Sequence, residues 1–227
     1  MEAIELLGRE GGTLEHTLLE RIEEIGTTFP AAVRVYIDVP IGLPSPDAPV
    51  RACDRMARKV LGSSRASSVF PVPCREALKA RTREAAQRIN EARIGRGLSV
   101  FTWGICPKIA EVDTYLRSGP AVRPREIHPE VCFWALAGRR PMRHTKKTGA
   151  GREERLRVLE QYEPGVRPLL RRALAGTLRT QVLADDVIDA VAAFVTAEAR
   201  HGAVEMLAGT PPADDAGLPI EIVYLRA

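Results

Sequence analysis

Two separate segments carry aspartates of the type and spacing that divalent-metal chemistry requires. They are VYIDVPIGLP, with Asp38, and LADDVIDA, with Asp185, Asp186 and Asp189. On a helix, Asp189 shares a face with Asp185 at i, i+4 and with Asp186 at i, i+3. Adjacent carboxylates repel unless a cation lies between them, and Mg²⁺ or Mn²⁺, which prefer oxygen ligands, are the natural cations. We therefore predict Asp38, Asp186 and Asp189 as metal ligands and catalytic residues.

A structural role is the alternative for three of these carboxylates. Asp38 has the sequence context of a turn aspartate that bonds its own backbone. Asp185 and Asp186 suit the N-cap and first turn of a helix, where the dipole favours negative charge. Asp189 lies a turn later, beyond the reach of a cap, in a helix that is apolar on nearly every side. It is therefore the strongest indication of a metal site.

A second candidate group lies in REIHPEVCF, which begins at residue 125. On a strand, His128 and Glu130 would alternate and point to the same face. We predict Glu130 as a further catalytic carboxylate, and its alternative is an ion pair with one of the many arginines. His128 is either a hydrogen-bonded structural histidine or a base.

A cationic loop, GRRPMRHTKKTGAGR, covers residues 138–152. Its positive side chains can neutralise phosphates, and each such contact contributes a salt-dependent share of affinity. The alternative is a solvated surface loop. The predicted phosphate-binding residues are Arg139, Lys146, Lys147 and Arg152. The hydroxyls and Arg65 of SSRASSVFP are also suited to phosphate but are unspecific.

Composition limits the class of protein. The chain has 227 residues, a net charge of +4 and 5% aromatic residues, which argues against recognition by many stacking rings. The four cysteines are widely spaced, as expected for reduced thiols. The charged N-terminus predicts no signal peptide, and no apolar run is long enough for a membrane span. We predict one cytoplasmic domain over 1–227 that does not bind membranes and has nucleic acid as a possible partner.

The candidate residues have to be positioned by an α/β arrangement. The apolar spacing predicts an amphipathic helix over 13–25 and a strand over 33–39 that stops near Asp38. A helical insertion is predicted over about 50–118, and a second strand over 125–134. A final helix is predicted from about 181 to 200, and a closing strand over 219–225.

Seven ordered blocks resemble one known family over roughly residues 33–225. They are IDVPIGLP (37–44), RACDRMARKVLG (51–62), SSVFPVP (67–73), GLSVFTWGICPKIAEVD (97–113), HPEVCFWAL (128–136), KKTGAGREERL (146–156) and ADDVIDA (184–190). They are similar to the domain-of-unknown-function family four-two-nine, a family of predicted RNase H-like nucleases. The resemblance implies an RNase H-like mixed central sheet flanked by helices, with acidic residues that bind two divalent ions for phosphodiester hydrolysis.

The same resemblance implies a first strand, similar to Gly-Val-Asp-Gly, that has no counterpart here. MEAIELLGREGG instead resembles the second strand of such a sheet. Asp38 and the Asp186/Asp189 pair correspond to the family's later acidic positions. We therefore expect an incomplete acidic site and an exposed sheet edge through which copies of the chain would self-associate.

The leading functional hypothesis is a magnesium- or manganese-dependent nuclease, a hydrolase of phosphodiester bonds. Fold does not determine function, so two alternatives stay open. One is a non-catalytic protein that binds nucleic acid or another partner. The other is a small-molecule phosphotransferase or phosphatase, which the absence of a Walker-type glycine loop does not exclude.

Overall fold

A computed structural model describes residues 4–10, 13–28, 34–176, 183–210 and 212–226. Its elements confirm an α/β chain. The strands are β1 (Ile4–Glu10), β2 (Thr13–Leu19), β3 (Tyr36–Ile37), β4 (Arg125–Glu126), β5 (Ala203–Met206) and β6 (Val223–Arg226). The α-helices are α1 (Ile25–Thr28), α2 (Ala52–Arg65), α3 (Arg83–Ile94), α4 (Val100–Arg117), α5 (Pro129–Leu136), α6 (Gly149–Leu159), α7 (Val166–Gly176) and α8 (Ala184–Glu198).

The strands form small two-stranded sheets. β1 pairs with β2, and β5 pairs with β6, both antiparallel. β3 and β4 are parallel, with Tyr36 opposite Arg125 and Ile37 opposite Glu126. Directly after β4, Ile127 makes a single parallel bridge to Val223 at the start of β6. Parallel and antiparallel pairs therefore occur side by side.

The predicted helix over 13–25 is wrong. Thr13–Leu19 is the second strand of a hairpin, and helical structure begins only at Ile22. The run TLEHTLL also contains two threonines, a residue type that is common in strands. Pairing with β1 along seven residues decides between the two structures, because tertiary pairing overrides a helical periodicity. The strand expected in MEAIELL is confirmed over Ile4–Glu10.

The segment predicted as a helical insertion contains α2, α3 and α4, between β3 and β4. Thr82 caps α3, since its hydroxyl accepts a hydrogen bond from the amide of Ala85, at 3.2 Å. Gly95 ends the same helix in the left-handed region, with φ of 66°. Ser99 caps α4 through the amide of Thr102, at 3.0 Å. These local signals explain why the insertion was predictable.

The predicted strand over 125–134 is confirmed only for Arg125–Glu126. Pro129 occupies the first position of α5, where its fixed φ and missing N–H suit a helix start. Every residue from Pro129 to Leu136 is buried, so the apolar run belongs to a core helix. His128 and Glu130 are consequently not alternating residues of one strand.

The largest core cluster lies around α8. Its buried members include Phe133, Leu159, Ile188, Val191 and Val223, from α5, α6, α8 and β6.

The predicted final helix is confirmed as α8, and the closing strand is confirmed from Val223 onward. Position 33 of the predicted strand and the first two residues of the predicted helix lie outside the described residues. None of the described helices is both long enough and apolar enough to span a membrane.

Candidate active-site cleft

Most of the predicted site residues line one cleft of about 580 Å³. Its walls come from the turn after β3, α2 and the segment that follows it, the first half of α4, the β4–α5 junction, the loop before α6 and the start of α8. Its acidic residues are Asp38, Asp54, Glu126, Glu130, Asp185, Asp186 and Asp189, and its basic residues are Arg65, Lys146 and Lys147. Segments distant in sequence thus bring carboxylates and cations to one place.

Asp38 lies directly after β3, and its position raises its pKa to about 6. The first cause is loss of hydration, followed by Lys146, which opposes the rise, and Asp186, which adds to it. The residue nevertheless keeps an exposed surface. The two observations agree if water reaches the carboxylate from the cleft while protein atoms crowd its other sides. Repulsion from Asp186 acts in the same direction as burial and raises the pKa of Asp38 further.

Asp189 lies on α8 with its side chain 12% exposed. Burial raises the pKa of Asp189 to about 7, Lys146 opposes this rise, and the negative charge of Asp38 adds to it. Asp38 and Asp189 are therefore close enough to affect each other's ionisation, although 150 residues separate them in sequence. The structure therefore brings these two predicted site residues to the same cleft.

Lys146 provides the nearest positive charge. Its Nζ donates a hydrogen bond to Oδ2 of Asp189, at 2.6 Å. Burial lowers the pKa of Lys146, but attraction to Asp189 and Asp38 outweighs it, and the net shift is upward. The lysine stays protonated at neutral pH. It was predicted to bind phosphate, and in this structure it pairs with a carboxylate.

Asp186 performs part of the capping role considered above. Its Oδ2 accepts a hydrogen bond from the amide of Leu183, at 3.1 Å, at the start of α8. Asp185 is half-buried on the same turn and lines the cleft. Both carboxylates lie within the first turn, where the helix dipole stabilises negative charge.

Glu130 has one carboxylate oxygen in an ion pair and one without a partner. Its Oε1 accepts a hydrogen bond from Arg155, whose side chain is 1% exposed. Arg155 also donates to the carbonyl oxygens of His144, at 3.1 Å, and Gly151, at 3.0 Å. The Oε2 of Glu130 is buried and has no hydrogen-bond partner within the described part of the chain. The ion pair expected as an alternative is therefore present, and it leaves one oxygen for a ligand.

His128 lies beside these carboxylates. Its Nε2 is 3.3 Å from the carbonyl oxygen of Ser68, to which the tautomer with a proton on Nε2 would donate. Burial lowers the pKa of His128, so the ring is neutral at neutral pH. Its Nδ1 has no hydrogen-bond partner among the described residues.

A buried network behind the cleft holds the turn that follows Asp38. Glu126 accepts hydrogen bonds from the guanidinium of Arg51 and from the amide of Ile41. Burial raises the pKa of Glu126 to about 8, while Arg51 opposes the rise and Asp54 adds to it. Glu126 and Asp54 were not predicted as site residues. No sequence signal identified Glu126, because its position at the end of β4 opposite Ile37 depends on strand pairing.

The four predicted phosphate-binding residues separate into two groups. Lys146 and Lys147 line the cleft. Arg139 instead lies over the ring of Trp134, with 5.9 Å between its Cζ and the ring centroid, and Arg152 is exposed on α6. Neither arginine is among the lining residues. Arg65 lines the cleft and fixes the cationic loop, since it donates to the carbonyl oxygens of Met142 and Arg143 at 2.9 and 2.8 Å.

The chemistry of the donor set fits a divalent cation. Asp38 and Asp189 are hard oxygen donors whose pKa values are raised by burial and by repulsion from neighbouring carboxylates. Within the described residues, no three His, Cys, Asp or Glu side chains stand together as a complete ligand group. Mg²⁺ does not require one, because it is commonly held by one or two carboxylates together with water and substrate phosphate.

Comparisons with known proteins give one match. The family model described as "Protein of unknown function (DUF429)" matches residues 3–213. No curated protein and no solved structure matches the chain.

Proposed function

We propose a function from the chemistry of the cleft, because the chain belongs to the DUF429 family, which is described only as being of unknown function. The proposed activity is divalent-metal-dependent hydrolysis of phosphodiester bonds in nucleic acid. The proposal includes an RNase H-like arrangement of the fold. Asp38 and Asp189 are the proposed direct ligands of Mg²⁺ or Mn²⁺, and Asp186, which caps α8, adds negative charge beside them. The observation that carries the proposal is the meeting of Asp38 and Asp189 in a cleft that also holds two lysines.

Charge balance supports this proposal. Two carboxylates that are poorly hydrated and repel each other destabilise the folded protein unless a cation joins them. Lys146 supplies one positive charge, on the side of Asp189. A divalent ion held by both carboxylates would compensate the negative charge that Lys146 leaves over. When bound, such an ion activates water and stabilises negative charge on a phosphoryl oxygen.

The remaining residues of the cleft have roles that suit a phosphodiester. Lys147 is exposed at the cleft and carries the positive charge to hold a phosphate. The unpaired Nδ1 of neutral His128 is able to accept a proton, and the unpaired Oε2 of Glu130 is able to bind the ion or orient water. Arg65 acts indirectly, because it holds the loop that carries both lysines.

Cleavage of labelled DNA and RNA with Mn²⁺ tests the proposal. The natural protein should cut at least one of these substrates, and EDTA should stop the reaction. Asp189→Asn should reduce the rate by more than the roughly 10–100-fold that follows loss of an outer partner of a metal site. Asp47→Asn, at an exposed residue outside the cleft, is the matched control. Equal rates for Asp189→Asn and the natural protein would refute the assignment.

The Lys146–Asp189 ion pair favours one alternative, a non-catalytic binding protein. In that case the lysine is the permanent partner of the carboxylate. A metal site stabilises the folded protein by mass action, by about 2.7 kcal/mol at 100-fold excess over the dissociation constant. A thermal shift with Mn²⁺ that disappears in Asp189→Asn supports the hydrolase, whereas salt-dependent nucleic-acid binding with no Mn²⁺ shift supports the alternative.

The size of the cleft favours a second alternative, a phosphatase or phosphotransferase that acts on small molecules. A volume of about 580 Å³ falls within the range of ligand pockets. Turnover of phosphorylated metabolites with Mn²⁺, without cleavage of DNA or RNA, would identify this activity.

A further inference from the structure

Exposed apolar side chains concentrate at the mouth of the cleft. Within the described part of the chain, five large apolar residues are notably exposed: Phe70, Val100, Phe101, Leu174 and Leu183. Three of them, Phe70, Phe101 and Leu183, line the cleft. The exposed fraction reaches 71% for Phe101. An aromatic ring so open to water gains little from folding, and apolar groups gathered at a cleft mouth commonly mark a binding surface.

Phe70 and Phe101 form a stacked pair. Their ring centroids are 5.7 Å apart and their planes differ by 15°. Phe70 therefore covers part of one face of Phe101, while most of the Phe101 ring stays accessible. The pair presents a flat aromatic surface next to the cleft, which we call the Phe70–Phe101 platform.

Hydrogen bonds fix the backbone on both sides of the platform. Ser99 caps α4, so that Phe101 lies in a defined first turn. The hydroxyl of Thr102, which is fully buried, donates to the carbonyl oxygen of Pro71, at 3.2 Å. That bond joins the residue after Phe101 to the residue after Phe70. The platform is thus built into the fold, although its rings face water.

We propose that the Phe70–Phe101 platform stacks one unpaired nucleobase of a single-stranded nucleic acid whose phosphates lie toward Lys147. This inference rests on the proposed function and names its substrate class. Aromatic rings stack on any base, but a base has a free face only when it is unstacked from its neighbours, which occurs in single strands, loops and ends. Two rings suit one base and are too small an area for a protein interface.

The cleft composition agrees with this occupant. Ser64 and Ser67 also line the cleft, and their hydroxyls are suited to sugar and phosphate oxygens. Two of the five phenylalanines of a chain with few aromatic residues stand at this position. An apolar ring, hydroxyls and cations in one cleft match the three parts of a nucleotide.

Binding without cleavage tests the platform. A short labelled thymidine oligonucleotide is titrated in EDTA, with fluorescence anisotropy as the readout. Phe101→Ala should weaken binding by about 5- to 150-fold, the range for loss of one base–aromatic stack. Phe101→Trp should keep the affinity of the natural protein. Val100→Ala is the matched control, because Val100 is 65% exposed next to Phe101 but does not line the cleft.

An abasic oligonucleotide with the same phosphates identifies the base as the stacked group. The natural protein should bind the abasic oligonucleotide as weakly as Phe101→Ala binds the normal one. When Phe101→Ala is titrated with the abasic oligonucleotide, the affinity should fall little further. The inference is overturned if Phe101→Ala binds the oligonucleotide as tightly as the natural protein does. It is also overturned if the losses from Phe101→Ala and from the abasic oligonucleotide add fully, or if Phe101→Ala weakens binding of a duplex as much as binding of the single strand. Intact base-dependent binding without Mn²⁺-dependent cleavage would refute the proposed hydrolase and leave the platform standing.

Discussion

Replacing Asp189 with asparagine should make the folded protein more stable at alkaline pH. Burial raises the pKa of Asp189 to about 7, whereas an aspartate in an unfolded chain titrates near about 3.9. Between these values the folded protein binds the proton more tightly than the unfolded chain does. The contribution of Asp189 to stability is therefore full below about pH 4 and is lost as the pH rises to about 7. Asparagine carries no such proton, so the variant escapes this loss.

The size of the effect follows from the two pKa values. They differ by roughly three units, and each unit corresponds to ~1.4 kcal/mol, so the full loss is about 4 kcal/mol. Solvent screening is small, since the Asp189 side chain is only 12% exposed. The pKa of about 7 already includes the attraction of Lys146, so the loss of this partner in the variant adds no separate cost. The free energy of unfolding of Asp189→Asn, relative to that of the natural protein, should rise by about 3 kcal/mol between about pH 5 and about pH 8.

Urea unfolding in EDTA, followed by circular dichroism, measures this difference. Free energies of unfolding are compared for the natural protein, Asp189→Asn and the exposed-site control Asp47→Asn at both pH values. Asp189→Asn should gain stability relative to the natural protein as the pH rises, and Asp47→Asn should not. A difference that stays constant between the two pH values would show that Asp189 ionises as it does in an unfolded chain, and the account of its burial would be wrong.

Three further predictions concern the surroundings of the cleft. Glu130→Gln should lower the free energy of unfolding by about 3–5 kcal/mol, because buried Arg155 loses its charged partner. Glu153→Gln, in more exposed pairs, should lower it much less, and equal losses in urea unfolding would contradict this. Gly151→Ala should cost about 1–3 kcal/mol, since its Cβ would lie 2.0 Å from a carbonyl oxygen of the preceding loop. Gly149→Ala, with open space around its Cβ, should show no such loss in the same assay. The four cysteines are buried, and burial raises the pKa of each thiol, so a thiol reagent should label them only on unfolding; rapid labelling of the native protein would contradict the structure.

The parts of the fold that were predictable depend on local signals. Thr82, Gly95 and Ser99 mark the ends of helices through bonds to neighbouring residues, and the sequence alone contains these signals. Thr13–Leu19 is a strand because β1 lies beside it, and a partner is invisible in a periodicity. The run after Pro129 is apolar on all sides, so its pattern did not separate a buried strand from a buried helix.

The same distinction applies to the cleft. Asp189 was identifiable because a carboxylate in an apolar helix needs a partner, and Asp38 because it follows a strand. The partner itself, Lys146, was placed in the correct loop but was expected to bind phosphate. Phe101 gave no signal, because an apolar residue in a first helical turn is expected to pack inward. Its exposure is decided by the position of α4 next to the cleft.

The parallel pairing of β3 with β4 places the helical insertion between two strands that lie side by side. Tyr36 lies opposite Arg125, and the whole helical insertion, with Phe70 and Phe101, lies between them. Closing a longer loop costs little, about 0.6 kcal/mol for each doubling of its length. The length of the insertion is therefore weakly constrained, but Arg51 and Arg65 within it are not replaceable, because they hold Glu126 and the cationic loop. Replacement confined to the residues around Phe70 and Phe101 would change what enters the cleft and would leave Asp38, Asp54 and Asp189 in place.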